Sequence, residues 1–258
     1  MKSTSINWIG LQTFVAREMQ RCFRVPVQTI ITPLLSALFY IFIFGQVLGK
    51  TVQNIGGIPY INFVLPGVLM MSVIGAAFAQ TSSSLYFHRF TRAIEEILVT
   101  PLSHFEMIIG YTLGGIMRGV VVGAGVLVIG VLFGAAGFAH LWWFFFYTVT
   151  ISTLFALLGV LAGLWAKSFE QIAAPNAFIL MPLSFLGGVF NSIAMYPPAL
   201  QVFARINPFF YFVDGTRYSM TGVREGNTVL GVFIIFAIIA LLAALVGYLF
   251  HKGWRLRA

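Results

Sequence analysis

The chain has 258 residues, 59% of them hydrophobic and only 9% charged, with a mean hydropathy of +0.94. Soluble domains carry roughly 25% charged residues, so this composition excludes an ordinary soluble globule and defines a membrane protein. The net charge of +8 does not call for nucleic acid, because multispan membrane proteins gather Lys and Arg in their cytoplasmic loops.

One cysteine, Cys22, excludes an internal disulfide and a cysteine-cluster metal site. The N-terminus lacks the short apolar run and small-residue cleavage site of a signal peptide. Residues 4–24, TSINWIGLQTFVAREMQRCFR, are too charged to insert. Trp8, Leu11, Val15, Met19 and Cys22 recur at helical spacing, with Arg17, Arg21 and Arg24 on another side, which predicts an amphipathic helix lying in the membrane interface.

A helix needs about 20 mostly apolar residues to cross a bilayer. Span 1 is expected at about 27–49 and ends in FGQVLGKT, whose Gly49-Lys50-Thr51 matches the tail of a phosphate-cradling loop. That motif needs glycine where Phe44 stands, and it follows a strand, which is absent here. Span 2 covers about 61–84, with Gln80, Thr81 and Ser82–Ser84 near its end. In the next segment Phe90, Ile94, Ile97 and Leu98 share a face. Arg92 precedes Glu95 and Glu96 by three and four residues, which predicts a short, internally paired helix over about 89–99, stopped by Pro101. Such a helix either folds back on the chain's own span ends or docks into a groove of another protein.

Span 3, about 107–134, contains Arg118 and a small-residue stripe at Gly110, Gly114, Gly119 and Gly123 suited to close helix packing within the chain. The short link at 134–140 makes a hairpin with span 4, about 141–166, which opens on the aromatic belt LWWFFFY. Span 5, about 172–192, carries Pro175, Pro182, Asn176 and Ser184. The following segment is too long and apolar for a solvated loop, yet Pro197, Pro198 and Pro208 break it. Two short helices dipping into the outer leaflet satisfy its backbone, and Asp214 and Arg217 stand at pairing distance in sequence. Span 6 covers about 229–250.

Six spans put both termini on one side. Ten Lys and Arg fall on that side (Lys2, Arg17, Arg21, Arg24, Arg89, Arg92, Lys167, Lys252, Arg255, Arg257) against four opposite (Lys50, Arg205, Arg217, Arg224), so both termini are expected to be cytoplasmic. Lys50 then lies outside, where no ATP is available. All seven carboxylates lie outside the spans or at their edges, which argues against an ion-coupled carrier or channel, the alternative reading. The histidines His88, His104, His140 and His251 lack metal-ligand spacing. No Ser-His, Cys-His or paired-carboxylate set supports an enzyme.

The amphipathic N-terminal helix, the six spans, the stretch EEILVTPLSHFEMIIG and the run P-P-x-L-x-x-F-x-x-I-N-P-F-x-Y-x-x-D-x-x-R together resemble the ABC-2 type permeases. That last motif comprises Pro197, Pro198, Asn207, Pro208, Tyr211, Asp214 and Arg217. The likeness extends over nearly the whole chain. It implies an all-α, single-domain permease subunit of an exporter in a bacterial inner membrane, with short re-entrant outer helices between spans 5 and 6. It implies a second copy of the chain and two copies of a cytoplasmic ATP-binding subunit, which would bind the ATP and Mg that this chain does not. The coupling helix would use Arg89, Phe90, Arg92, Ile94, Glu95, Glu96, Ile97 and Leu98, and the N-terminal helix would also touch the ATPase. Substrate would pass between the two copies along spans 2 and 5, with Gln80, Ser83, Asn176, Ser184 and Asn191 as candidate lining. No motif names the cargo.

Overall fold

A computed structural model describes residues 7–52, 54–135 and 137–256; residues 4–6 of the expected N-terminal helix lie outside this set. The architecture is helical, with six helices long and apolar enough to cross a membrane: Val27–Lys50, Tyr60–Phe90, His104–Leu132, Leu141–Trp165, Phe169–Leu186 and Thr228–Lys252. These are spans 1 to 6. The helix of span 2 runs one and a half turns further than its apolar stretch, because Leu85, Tyr86 and His88 are buried by neighbours. Span 5 ends at Leu186 rather than near 192, where Gly187 and the positive φ of Gly188 turn the chain.

Span 2 is the hub. It packs along spans 3 and 4, and span 4 in turn meets span 6 and the outer helix Pro208–Thr221. Lipid tails are as apolar as leucine, so close packing rather than hydrophobicity must hold such helices together. Small residues supply it. A side chain at Gly159 would collide with Thr81 and the Phe78 carbonyl of span 2, and one at Gly115 with Ala156 and Thr81. Thr81 Oγ1 donates to the Ala156 carbonyl at 2.8 Å in the space those glycines leave. Gly110 and Gly114 receive Phe14 and Glu18 of the N-terminal helix, so the glycine stripe serves contacts within the chain.

The N-terminal helix, Trp8–Arg24, begins where Asn7 Oδ1 accepts from the Gly10 amide at 3.0 Å. Ser103 and Glu106 form a reciprocal cap at the start of span 3. Glu106 also accepts the Asn7 amide at 2.6 Å, tying the two helix starts together. The buried face of the N-terminal helix is Leu11, Phe14, Glu18 and Cys22, while Trp8 is 62% exposed. The face inferred from hydrophobicity alone is therefore turned by one position, since Phe14 fits over Gly110 and Glu18 finds a polar partner.

At the opposite end, Asn54–Ile55 and Ile58–Pro59 pair as a small antiparallel hairpin around Gly56-Gly57, both at positive φ. Two helices, Pro198–Ile206 and Pro208–Thr221, separate spans 5 and 6. Proline opens each because its missing N–H costs nothing at a first helical position.

Candidate functional site

Three of the six spans, 1, 5 and 6, are only loosely held by the rest of the chain, and two of them, spans 1 and 5, flank one cleft. Both contain wide π turns: Val27–Ile31 and Ile41–Val47 in span 1, and Asn176–Leu180 in span 5. The turns at Val27–Ile31 and Asn176–Leu180 begin beside Pro26 and Pro175, where a proline cannot donate to the helical ladder. Between these spans and span 2 runs a cleft of about 270 Å³, lined by Gln28, Ser36, Ser72, Asn176 and Ser184 with Arg118 of span 3 at one end. Ser184 and Ser72 return their hydroxyls to carbonyls of their own helices, at 2.6 and 2.8 Å. The Asn176 and Gln28 side-chain amides make no hydrogen bond among the described residues. Unpaired amides at membrane depth are tolerated where they face water, a ligand or another protein.

Arg118 belongs equally to a second, larger cavity of about 670 Å³ at the end that carries the termini. Ala79, Gln28 and Arg118 are walls of both. Arg118 is 7% exposed, and its Nε donates to the Thr29 carbonyl at 3.2 Å. It does not reach out to solvent along the helix; span 1 and the N-terminal helix close over it.

The N-terminal helix forms one wall of this cavity through a polar cluster that the sequence did not reveal. Glu18 is buried to 1% exposure, and Ser84 donates to its Oε2 at 2.6 Å. Gln80 donates to the Glu18 carbonyl at 3.2 Å, and Arg21 reaches Ser84 Oγ and the Ser83 carbonyl, each at 3.3 Å. His88 Nε2 stands 4.0 Å from Glu18 Oε1, and its Nδ1 is 2.8 Å from the Tyr111 hydroxyl. Burial holds the Glu18 carboxyl above its ordinary range, against the opposing pull of Ser84, Arg21 and Arg17. Burial likewise lowers Arg21, opposed by Glu18, with Arg17 and Arg24 pushing the same way as burial. Thus Gln80 and Ser83 line the inner cavity, Asn176 and Ser184 line the cleft, and Asn191 sits apart, exposed at the far end.

The short helix after span 2 is Ala93–Val99. Arg89 and Phe90 belong to the end of span 2 instead, and Arg89 donates to the Gly163 and Ala166 carbonyls at 2.7 and 3.1 Å, capping span 4. Arg92 is the N-cap at φ 61°, outside the helix, and among the described residues no ion pair joins it to Glu95 or Glu96. The expected intrahelical pairs are therefore absent: the left-handed turn that redirects the chain takes Arg92 off the helix face. Ile94 and Ile97 are buried against the chain's own spans, whereas Glu95, Glu96 and Val99 are exposed, Val99 at 87%. Leu98 is half-buried. The helix has a seated face and a free face, and the two acids in its first turn suit the positive end of its dipole.

The residues of the proline-rich motif are structural neighbours at the opposite end. Pro197 and Pro198 open the first outer helix. Asn207 accepts the Phe209 amide at 3.1 Å and donates to the Leu183 carbonyl at 2.7 Å, joining span 5 to the helix that Pro208 begins. Tyr211 packs on Gly231 of span 6. Asp214 does not pair with Arg217. It accepts the Glu225 and Gly226 amides at 2.7 and 3.0 Å, closing the loop into span 6. Arg217 points the other way, to the Gly188 carbonyl at 2.6 Å and the Phe63 carbonyl at 3.3 Å, with its guanidinium 3.6 Å from the Phe63 ring centre. Helical spacing of three allowed the pair; competing backbone partners won both side chains.

Gly49, Lys50 and Thr51 end span 1 in a tight turn in which the Thr51 and Val52 amides already bond to the Leu48 carbonyl. Those amides are not free to wrap a phosphate.

The fold and cleft define a multispan helical membrane protein built around a loosely packed polar seam. A family model described as ABC-2 type transporter matches residues 10–221. The inner membrane transport permease YadH of Escherichia coli K12 is 37% identical over 236 residues, covering 90% of this chain and 92% of that one. Nodulation protein J of Rhizobium leguminosarum bv. trifolii is 26% identical over 225 residues, covering 84% and 82%. The chain belongs to the ABC-2 type transporter family. It is a multi-pass inner membrane protein with a transport permease role.

Proposed function

We propose that this chain is the permease subunit of an ABC exporter, working as a homodimer and driven by a separate cytoplasmic ATPase that binds the ATP and Mg. Both termini lie in the cytoplasm. The observation that carries the reading is the helix Ala93–Val99, fixed to the spans through Ile94 and Ile97 while Glu95, Glu96 and Val99 stand free. A helix held on one face transmits a push from whatever binds the other. The cleft between spans 1, 2 and 5 supports the second copy. Its side-chain amides have no partner among the described residues, and a facing copy would enclose them in a wet pathway. The outer helices would dip into the membrane and cap the exit.

Reversing Glu95 and Glu96 to Lys in the complex with its ATPase tests this. Hydrolysis should collapse and assembly should weaken, while the permease alone still folds. Undiminished coupling would remove the assigned helix from the mechanism. Transport of cargo by the permease alone, on an ion gradient in sealed vesicles, would make it a secondary carrier instead.

A further inference from the structure

The last turn of span 4 is held from two directions. Arg89, at the end of span 2, donates to the Gly163 and Ala166 carbonyls. Arg255, just beyond span 6, donates to the Trp165 carbonyl at 2.6 Å. A helix end leaves its last carbonyls without internal partners, and they carry the negative end of the dipole. Among the described residues no carboxylate lies within 4 Å of either arginine, so it is this carbonyl end that draws two like charges together. The chain bends to deliver Arg255. Gly253 turns out of span 6 at φ 68°, Arg255 itself takes φ 53°, and Leu256 beyond it is buried to 1%. A left-handed arginine is uncommon, and it persists only where its surroundings fix it. The same junction holds the residues just before the short helix. Tyr86 donates to the Lys167 carbonyl at 3.2 Å, and the Phe90 ring packs on Phe169, the first residue of span 5, with centroids 5.6 Å apart. The Arg92 amide bonds back to the Arg89 carbonyl at 3.1 Å, so the turn that launches Ala93–Val99 starts from Arg89 itself.

We propose that Arg255 is a positioning residue for coupling. The segment Gly253–Leu256 straps the end of span 6 to span 4, and together with Arg89 it fixes the base from which Ala93–Val99 acts on the spans. A short helix transmits a push only if its base does not yield, and this base is a helix end whose bare carbonyls would otherwise face solvent. With the strap in place, movement of the short helix passes through Arg89 and Phe90 to the junction of spans 4 and 5, and span 5 flanks the cleft. Without it the junction gives way first. This role rests on Ala93–Val99 being the element on which the ATPase acts.

Hydrogen exchange of the permease alone in lipid discs reads the base of the helix, and ATP turnover of the complex reads what it transmits. In Arg255→Met, amides 93–99 should exchange about tenfold faster, the local opening that loss of one charge-assisted bond releases. With the ATPase present, the same variant should lose about threefold in kcat with KM for ATP unchanged, since the strap touches no nucleotide. Arg255→Lys keeps a donor for the single Trp165 carbonyl and should stay near wild type. Gly253→Ala removes no contact, because a methyl there meets nothing within 4 Å, but it strains the turn at φ 68°. It should reproduce Arg255→Met, and it carries the test if that variant fails to fold. Lys252→Gln, an exposed neighbouring cation facing the Tyr248 ring, should change neither reading. A tail that merely stabilises would lower the melting temperature and free amides 161–166 while leaving 93–99 as in wild type. That pattern overturns the assignment, and so does faster exchange at 93–99 with unaltered kcat. Exchange is read without the ATPase, so its failure is a failure of the strap, whereas intact coupling after reversal of Glu95 and Glu96 is a failure of the helix.

Discussion

Gly159 sits where span 4 crosses span 2, and the substitution Gly159→Ala adds one methyl at that crossing. Its Cβ would collide with Thr81 Oγ1, fall 2.5 Å from the Phe78 carbonyl and 3.2 Å from the Ser82 amide. Two of those three are backbone atoms, which no rotamer change can move. Restoring ordinary contact at 3.4 Å means parting the helices by about 0.9 Å at that point. Overpacking of this kind costs about 1–3 kcal/mol. The Thr81 to Ala156 hydrogen bond is lost with it, worth about 0.6 kcal/mol between membrane helices. Against this stands the better helix propensity of alanine, about 1 kcal/mol. The net is a loss of about 0.5–2.5 kcal/mol. Gly247 of span 6 is the matched control, since a methyl there meets nothing within 4 Å and only the propensity gain remains. Gly247→Ala should stabilise by up to about 1 kcal/mol. Unfolding in mixed micelles by SDS titration, followed by circular dichroism, measures both. Equal stability of the two variants would refute the argument that helix approach at Gly159 limits this fold.

Glu18→Gln should flatten the pH dependence of stability. A buried carboxyl raised in the folded state contributes fully below its unfolded value, near 4.5, and that contribution is lost as pH rises through the folded value. Arg17 and Arg21 on its own helix, with His88 of span 2 and Tyr111 of span 3, face the same group. Over that window wild type should lose up to about 1.4 kcal/mol per pH unit relative to the Gln variant, read from melting temperatures in detergent; parallel curves would mean Glu18 is not buried this way. Arg217→Met leaves the Gly188 carbonyl without a donor, at about 1–3 kcal/mol, and takes a second donor from the Phe63 carbonyl, less the relief of no longer burying a charge. Its melting temperature should fall below that of Arg217→Lys, which keeps the charge without the planar fork; the reverse order would remove the guanidinium as the clamp between span 2 and the outer helices.

Much of this protein was legible from composition and spacing. Runs of 20 or more apolar residues have few alternatives in lipid, so the six spans, the amphipathic N-terminal helix and the short helix before Pro101 could be read from residues in order. The Gly56-Gly57 hairpin has its signal in the sequence too, in N-I-G-G-I-P. Helix ends were less legible. Arg89 and Phe90 read as part of the short helix because charge suggests a loop, yet Arg89 is held by carbonyls of span 4.

What sequence determined by itself, then, is which segments are long and apolar enough to enter the bilayer and which short helices are amphipathic, because those follow from hydropathy and from a period of 3.6 residues. Tertiary structure alone decided which polar groups meet. Glu18 found Ser84 and His88, more than 60 residues away, and Asp214 and Arg217 each left the other for backbone. The physical reason is that a polar side chain in low dielectric takes whichever partner packing brings within about 3 Å, and packing here is set by where glycines let helices touch.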